Sequence, residues 1–289
     1  MAYRIFTDAS ADISEDLMRD VPPVEMIPME VILDGEEHLY GPGGDLEVKS
    51  FYQRQREGKF ASTSAINPEA YRSAFRPVLE AGEDILHVGL TQGLSSTFST
   101  CCLVMDELRE EFPQRKIIAV EPYCASVGLG MLVHEMSKKK AEGLSIEELA
   151  AWVEQNRLHI CHWFTVDIFD HLKHGGRVSA AAAVVGTMLQ IKPLLHIETD
   201  GTLKVIAKPR GRKQAIRTQM GYMKDNWKRE MGNLVLIGHG DDQEACDALK
   251  AAVLAEYPDA DVRTAYIGAL FGAHTGPGKV ALIHWGEKR

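Results

Sequence analysis

Hydroxyl-bearing residues gather at four places in this chain, each lying between an apolar run and a stretch of helical character. The four are Ile5–Asp12 (IFTDASAD), Ala61–Pro68 (ASTSAINP), Leu90–Thr100 (LTQGLSSTFST) and Glu121–Gly130 (EPYCASVGLG). Hydroxyls and free backbone amides at a helix start suit a small anion, because the helix dipole and its unpaired N–H groups both favour negative charge. Without a nearby lysine, the anion they suit is one that needs few donors, such as a carboxylate. The same residue types also serve as plain helix caps. Asp8, Ser10 and Asp12 are placed to cap a helix beginning near Ile13.

Sharper catalytic signatures fail. There is no GxxxxGK[ST] phosphate loop. Gly128 and Gly130 start a dinucleotide fingerprint, but Val133 occupies the third glycine position. Ser95 has Gly93 before it and Thr97 after it, so no nucleophile elbow is formed. Histidines pair at spacing three, His159 with His162 and His171 with His174, and Asp167 or Asp170 is available as a supporting acceptor for a metal. The first pair flanks a strand start, however, so the four need not converge. Gly175-Gly176-Arg177 reads as a helix stop followed by a guanidinium that is either solvated or aimed at an anion. Lys208 to Lys213 (KPRGRK) opens a helix continuing to Arg217, a basic patch that is a solvated face or a docking surface.

The elements that must position these residues alternate. β-rich runs fall at Tyr3–Thr7, Ile85–Leu90, Lys116–Val120, Cys161–Val166, Leu234–Gly238, Val262–Ile267 and Val280–Trp285. Between them lie amphipathic stretches, including helices around Glu69–Leu79 and Asp167–His174. In Phe98–Glu111 the residues Phe98, Cys101, Cys102, Met105 and Leu108 form one apolar face. This alternation predicts an α/β fold with a parallel-type sheet covered by helices, ligands binding at the carboxyl ends of the strands. Two hairpins depart from it: Val24–Tyr40 turned by Asp34-Gly35, and Leu194–Ala207 turned by Asp200-Gly201. Antiparallel pieces beside a parallel sheet predict two unlike α/β domains, 1–160 and 161–289.

The 289 residues include 32 basic and 41 acidic side chains, a net charge of −9. That balance argues against nucleic acid or an anionic membrane as the main partner and allows at most transient membrane contact. No apolar run approaches the roughly 20 residues of a membrane span, and the N-terminus enters a strand directly, without a signal segment. Five cysteines without a CxxC pair predict reduced thiols and a cytoplasmic location.

Taken in order, FTDASAD, STSAINP, GLSSTF, ASVGLG, LKHGGRVS, IKPLL and IGALFGAHTGPG resemble the segments of the DegV family along nearly the whole chain. The resemblance implies a DegV-like two-domain α/β fold with a long-chain fatty acid, such as palmitate, stearate or oleate, buried between the domains. It implies a bacterial carrier with no catalytic residue, metal or other cofactor of its own. Similar proteins are the fatty-acid-binding subunit of a fatty acid kinase, whose separate ATP-binding subunit phosphorylates the carboxylate. On this resemblance Thr63 and Ser95 match the hydroxyls on the carboxylate, Ser96 a backbone N–H beside it, and Arg177 an arginine behind the head group. Arg210 and His274 match positions of kinase engagement.

The chain departs from the family's usual pattern at Ala65-Ile66, where Gln-Pro is common, at Ser96, where glycine is common, and at Glu121-Pro122, where Asp-Ser is frequent. Burying an acyl chain of ~16 carbons contributes on the order of 10 kcal/mol before ordering costs, so a long apolar tunnel is expected. The Ala/Val-rich stretch Ala180–Leu189 is a candidate wall and equally a plain buried helix. A different reading makes the chain a hydrolase or transferase with Ser95 as nucleophile and His274 as base. A third builds a metal-binding or regulatory protein on the histidine cluster.

Overall fold

Strand β1 (Tyr3–Asp8) lies inside a four-stranded parallel sheet, flanked by β2 (Glu25–Ile27) on one side and by β6 (Asp84–His87) and then β7 (Ile117–Ala119) on the other. This computed structural model describes residues 2–167, 169–177, 190–287 and 289. Successive side chains of a strand face opposite ways. Accordingly Ile5 and Leu86 pack with Leu129, Val133 and Leu149 of helices α5 (Ser126–Ala141) and α6 (Ile146–Asn156). Phe6 and Ile85 pack on the other face with Phe75, Met105 and Leu108 of α3 (Pro68–Glu80) and α4 (Thr97–Glu111). Both faces are covered, which is why these strands read as nearly continuous apolar runs. The predicted face of α4 is buried except at Cys102, which is only half-buried, while Val104 joins the core.

The first expected hairpin is shorter than predicted. Glu25–Ile27 pairs parallel to β1, and only β3 (Met29–Leu33) and β4 (Glu36–Tyr40) form the hairpin. Asp34 (φ 57°) and Gly35 (φ 81°) carry the two positive φ angles its tight turn demands. Strand β5 (Ala61–Thr63) pairs with the other edge of β3, completing a three-stranded antiparallel sheet with Thr63 opposite Val31. Helix α2 (Val48–Arg56) connects β4 to β5.

A six-stranded sheet runs β10 (Leu203–Ala207), β9 (Leu194–Ile197), β8 (Ile160–Thr165), β13 (Val280–Trp285), β11 (Leu234–His239), β12 (Asp261–Tyr266). Only β11 and β12 are parallel, joined through α9 (Gln243–Glu256). The expectation of parallel pairing fails for the rest of this sheet, most tellingly at β13, and the reason is length. Helix α10 (Ala269–Thr275), between β12 and β13, spans about 10 Å at ~1.5 Å per residue, whereas a six-residue strand spans about 20 Å. Helix α10 by itself does not carry the chain back to the start of the sheet, and β13 runs back antiparallel to both β8 and β11. The β9–β10 hairpin forms as predicted, but through five residues, with Asp200 accepting from the Thr202 N–H and hydroxyl.

The cap assignment at the N-terminus also changes. Asp8 caps a short 3-10 turn (Ala9–Ala11), and Ser14 caps helix α1 (Glu15–Met18). Asp12 ends that turn with a left-handed φ of 46°, and its side chain caps no helix start; its carboxylate accepts from the Gly268 N–H and the Ser126 hydroxyl. The remaining helices are α7 (Asp170–His174), three residues shorter at its start than predicted, and α8 (Arg212–Asn226). No helix among the described residues is long and apolar enough to cross a membrane.

Candidate functional site

A cavity of about 260 Å³ lies where the three sheets meet. Its apolar wall comes from Phe164 on β8, Ala281 and Ile283 on β13, Ile197 and Leu203 of the β9–β10 hairpin, and Leu270 on α10. One end is polar. There Thr63 and Ser64 leave β5, Ser95 and Ser96 precede α4, and His274 closes α10. At this end a solvent-facing hollow bounded by Gln92, Gly176 and Thr202 shares Ser95, Ser96 and Arg177 with the cavity. The polar end is therefore the mouth.

Thr63 and His274 form a pair, Oγ1 to Nε2 at 2.9 Å. The His274 Nδ1 atom is buried without a partner and faces the Cα of Gly175, where an added Cβ would stand 2.2 Å away. An orphaned buried N–H is rarer than an orphaned lone pair, which places the ring proton on Nε2. Nε2–H then donates to Thr63 Oγ1, and the Thr63 hydroxyl proton is left for a ligand. Desolvation pushes the imidazole pKa down to about 4, helped by the charges of Arg177, His174 and Lys279. His274 is thus a neutral, orienting group at neutral pH.

Ser95 does two things at once. Its Oγ accepts from the Thr97 N–H (3.2 Å), as a cap would, and lies 2.9 Å from Thr97 Oγ1. With Thr97 donating to it, Ser95 can turn its own proton into the cavity. Ser96 is exposed, and its N–H has no protein acceptor among the described residues. The loop holding these residues is braced from two sides. Glu121, one of the departures from the family pattern, accepts from the Gln92 N–H (3.2 Å) and the Tyr123 N–H (3.0 Å). On the other side Gly93 and Gly201 meet backbone to backbone: a Cβ on Gly93 would stand 2.4 Å from the Gly201 carbonyl carbon. That approach lets the β9–β10 hairpin close the wall beside the mouth.

Arg177 is exposed and reaches across the mouth, with Nε donating to the Leu94 carbonyl (3.2 Å) and Nη1 to the Gly175 carbonyl (2.5 Å). Its Nη2 has no protein acceptor among the described residues. The cavity thus brings together Thr63, Ser95, Ser96, Arg177 and His274. It leaves Arg210 out: that residue is exposed, in a bridge with Ile191 just before α8. Of the basic patch, Arg212 is drawn into bonds with Asp167 and Asp242, while Lys208, Arg210, Lys213 and Arg217 stay exposed. The candidate tunnel wall Ala180–Leu189 lies outside the described residues.

The alternative chemistries gain no support from this geometry. His274 bonds Thr63, not Ser95, and Ser95 bonds Thr97, so the expected Ser95–His274 pair is not formed. The histidines do not converge either. His159 and His162 bond the carbonyls of Gly286 and Ile160, and His171 and His174 pack with tilted rings against Phe60. Asp167 is held by Lys192 and Arg212 and Asp170 pairs with Lys173. No group of three metal-ligating side chains occurs among the described residues.

Sequence reasoning missed Lys279, Phe271 and Ser126, which also line the cavity. For Lys279 a signal existed: in GPGKVALIHW a lysine stands at the head of an otherwise apolar, fully buried strand.

The profile described as "Uncharacterised protein, DegV family" matches residues 2–286. The DegV domain-containing protein CPE0026 of Clostridium perfringens is 33% identical over 287 residues, covering 99% of this chain and 98% of its own. A DegV family protein from Thermus thermophilus, whose structure is described as fatty acid binding, superposes with a TM-score of 0.86 at 28% identity, covering 99% of this chain and 100% of its own. The Streptococcus pneumoniae Fatty Acid Kinase (Fak) B3 protein, loaded with linoleic acid, shares the fold with a TM-score of 0.84 at 19% identity and 99% coverage of both chains. Family profile, relative and fold agree over essentially the whole length, and the chain belongs to the DegV family.

Proposed function

We propose that this protein encloses a long-chain fatty acid such as palmitate, stearate or oleate, and holds its carboxylate at the cavity mouth. The observation that carries the reading is the cavity's polarity: a largely apolar wall with hydroxyls, a free amide and a guanidinium gathered at a solvent-facing end. Thr63 and Ser95 donate hydroxyl protons to the carboxylate, the Ser96 N–H adds a third bond, and Arg177 supplies the countercharge. A carboxylate left unbonded on burial would be costly, and these donors offset that cost. The reading is supported by the Thermus thermophilus protein, which is described as binding fatty acid and is similar across its whole length.

The carboxylate end meets solvent while the chain is enclosed, which suits presentation to a second protein better than reaction within this one. Such a partner is a separate, ATP-dependent fatty acid kinase subunit forming an acyl phosphate, with exposed Arg210 and His274 at the mouth involved in its engagement, in the cytoplasm. This finer reading rests on the family motifs.

The test of binding is direct. Organic extraction of the purified protein followed by mass spectrometry should yield long-chain fatty acid, and added palmitate or oleate should bind tightly. Absence of both would overturn the proposal. The test of partnership is acyl phosphate formed from the loaded protein by an added kinase subunit and ATP.

A further inference from the structure

Lys279 is out of place in a cavity built for hydrocarbon. It heads β13, its side chain is 4% exposed, and it lines the cavity. Its Nζ lies 4.7 Å from the centroid of the Phe164 ring and 5.0 Å from that of Phe271. It has no hydrogen bond and no ion pair among the described residues. Aromatic faces attract an ammonium but return only part of the hydration that it loses on burial. Burial accordingly pushes its pKa down, and the charge of Asp12 resists that shift. Asp12 acts on it only through its charge: no hydrogen bond or ion pair joins the two among the described residues, and the Asp12 carboxylate accepts from the Gly268 N–H (2.8 Å) and the Ser126 hydroxyl (2.5 Å).

Two serines that line the same cavity have the opposite need. Ser126 spends its proton on Asp12, and Ser10 spends its proton on Asp8. Both line the cavity, offering oxygen lone pairs and no free proton. Ser126 is held there in a left-handed backbone conformation (φ 54°) that a non-glycine residue adopts only under constraint. One unsatisfied donor and two acceptors lining one cavity fit a group that both accepts and donates, which is a hydroxyl. A second carboxylate would only accept, and it would face Asp8 and Asp12.

We propose that the cavity holds a second polar subsite, formed by Lys279 with Ser10 and Ser126, that binds a hydroxyl on the acyl chain, so that the protein prefers hydroxylated over plain fatty acids. The subsite uses none of the carboxylate-binding residues at the mouth, and it rests on the fatty-acid reading above. Lys279 donates to the ligand hydroxyl oxygen, and the ligand proton goes to a serine oxygen.

The experiment is competition against a fluorescent fatty acid on the full chain, comparing stearate with hydroxystearates whose hydroxyl sits at successive chain positions. On the native protein, at least one isomer should bind about tenfold or more tighter than stearate, the effect of one charge-assisted hydrogen bond. Lys279→Met should abolish that preference while binding stearate at least as well as the native protein. Lys279→Gln, which keeps a donor, should retain part of the preference. If no isomer is preferred by the native protein, the subsite is refuted without recourse to any variant. If Lys279→Met weakens stearate and every isomer alike, Lys279 serves the carboxylate and the proposal also fails. Failure of the native protein to bind either class would instead sink the fatty-acid reading beneath it.

Discussion

Replacing Thr63 by valine removes one oxygen from the cavity mouth and almost nothing else. Valine has the shape of threonine and suits a strand equally well, so β5 should keep its pairing with β3. Two bonds are at stake. The first is the 2.9 Å bond with His274 Nε2, whose loss leaves a buried ring N–H without an acceptor. That costs about 1–3 kcal/mol, read as a fall of a few degrees in Tm for the unliganded protein. The second is the proposed bond to the ligand carboxylate, worth about 1.5–3 kcal/mol because the acceptor is charged. Its loss should raise the Kd for palmitate about tenfold to a hundredfold. Titration calorimetry and thermal unfolding on the same preparations separate the two, with Thr63→Ser as the control that keeps the hydroxyl. A lower Tm with a Kd within twofold of native would refute the ligand contact and leave Thr63 as a support for His274 alone.

Other outcomes follow from the same geometry. Ser95→Ala removes both the cap on Thr97 and a carboxylate donor, and should weaken palmitate binding by roughly 1–3 kcal/mol; unchanged calorimetric affinity would exclude it from the site. Any esterase activity of the purified chain should be indifferent to the same substitution, and its abolition would revive the hydrolase reading. Gly201→Ala combines a φ of 83° with a Cβ placed 1.9 Å from Thr91 Oγ1, and should cost more than about 1 kcal/mol in urea unfolding, whereas a neutral effect would mean that the hairpin does not press on the loop. His274 has a folded pKa of about 4 against an ordinary 6.5, so between those values the unfolded chain binds the extra proton. Its contribution is therefore complete above about pH 6.5 and is lost as the pH falls toward 4. His274→Gln should flatten the stability–pH slope in that window relative to native, and an unaltered slope would contradict a neutral, enclosed imidazole. Arg210→Ala should leave fatty acid affinity intact and slow acyl phosphate formation by an added kinase subunit; an unchanged rate would remove Arg210 from the docking surface.

Much was legible before any fold was known, because it is written in local pattern. The seven β-rich runs all became strands, since apolar runs with turn residues at their ends have few other ways to bury themselves. The Asp34-Gly35 turn formed where positive φ angles were expected. The ordered motifs identified the family, and the chain's Thr63, Ser95, Ser96, Arg177 and His274 do meet at one cavity.

What local pattern could not decide was direction and convergence. Whether β13 runs parallel or antiparallel depends on how far α10 carries the chain, a matter of connection length within the assembled sheet. Asp12 looked like a helix cap because its neighbours in sequence are a helix start; its partners, Ser126 and Gly268, come from 114 and 256 residues away. Lys279 is next to the strand Val280–Trp285 in sequence, and only the tertiary structure brings its ammonium against Phe271 of α10 and Phe164 of β8. Sequence determined the elements and the hydroxyl-rich turns, since backbone propensity and burial pattern act over a few residues. The tertiary structure decided which hydroxyls share a mouth and which charge lies inside, since those depend on groups brought together from distant parts of the chain.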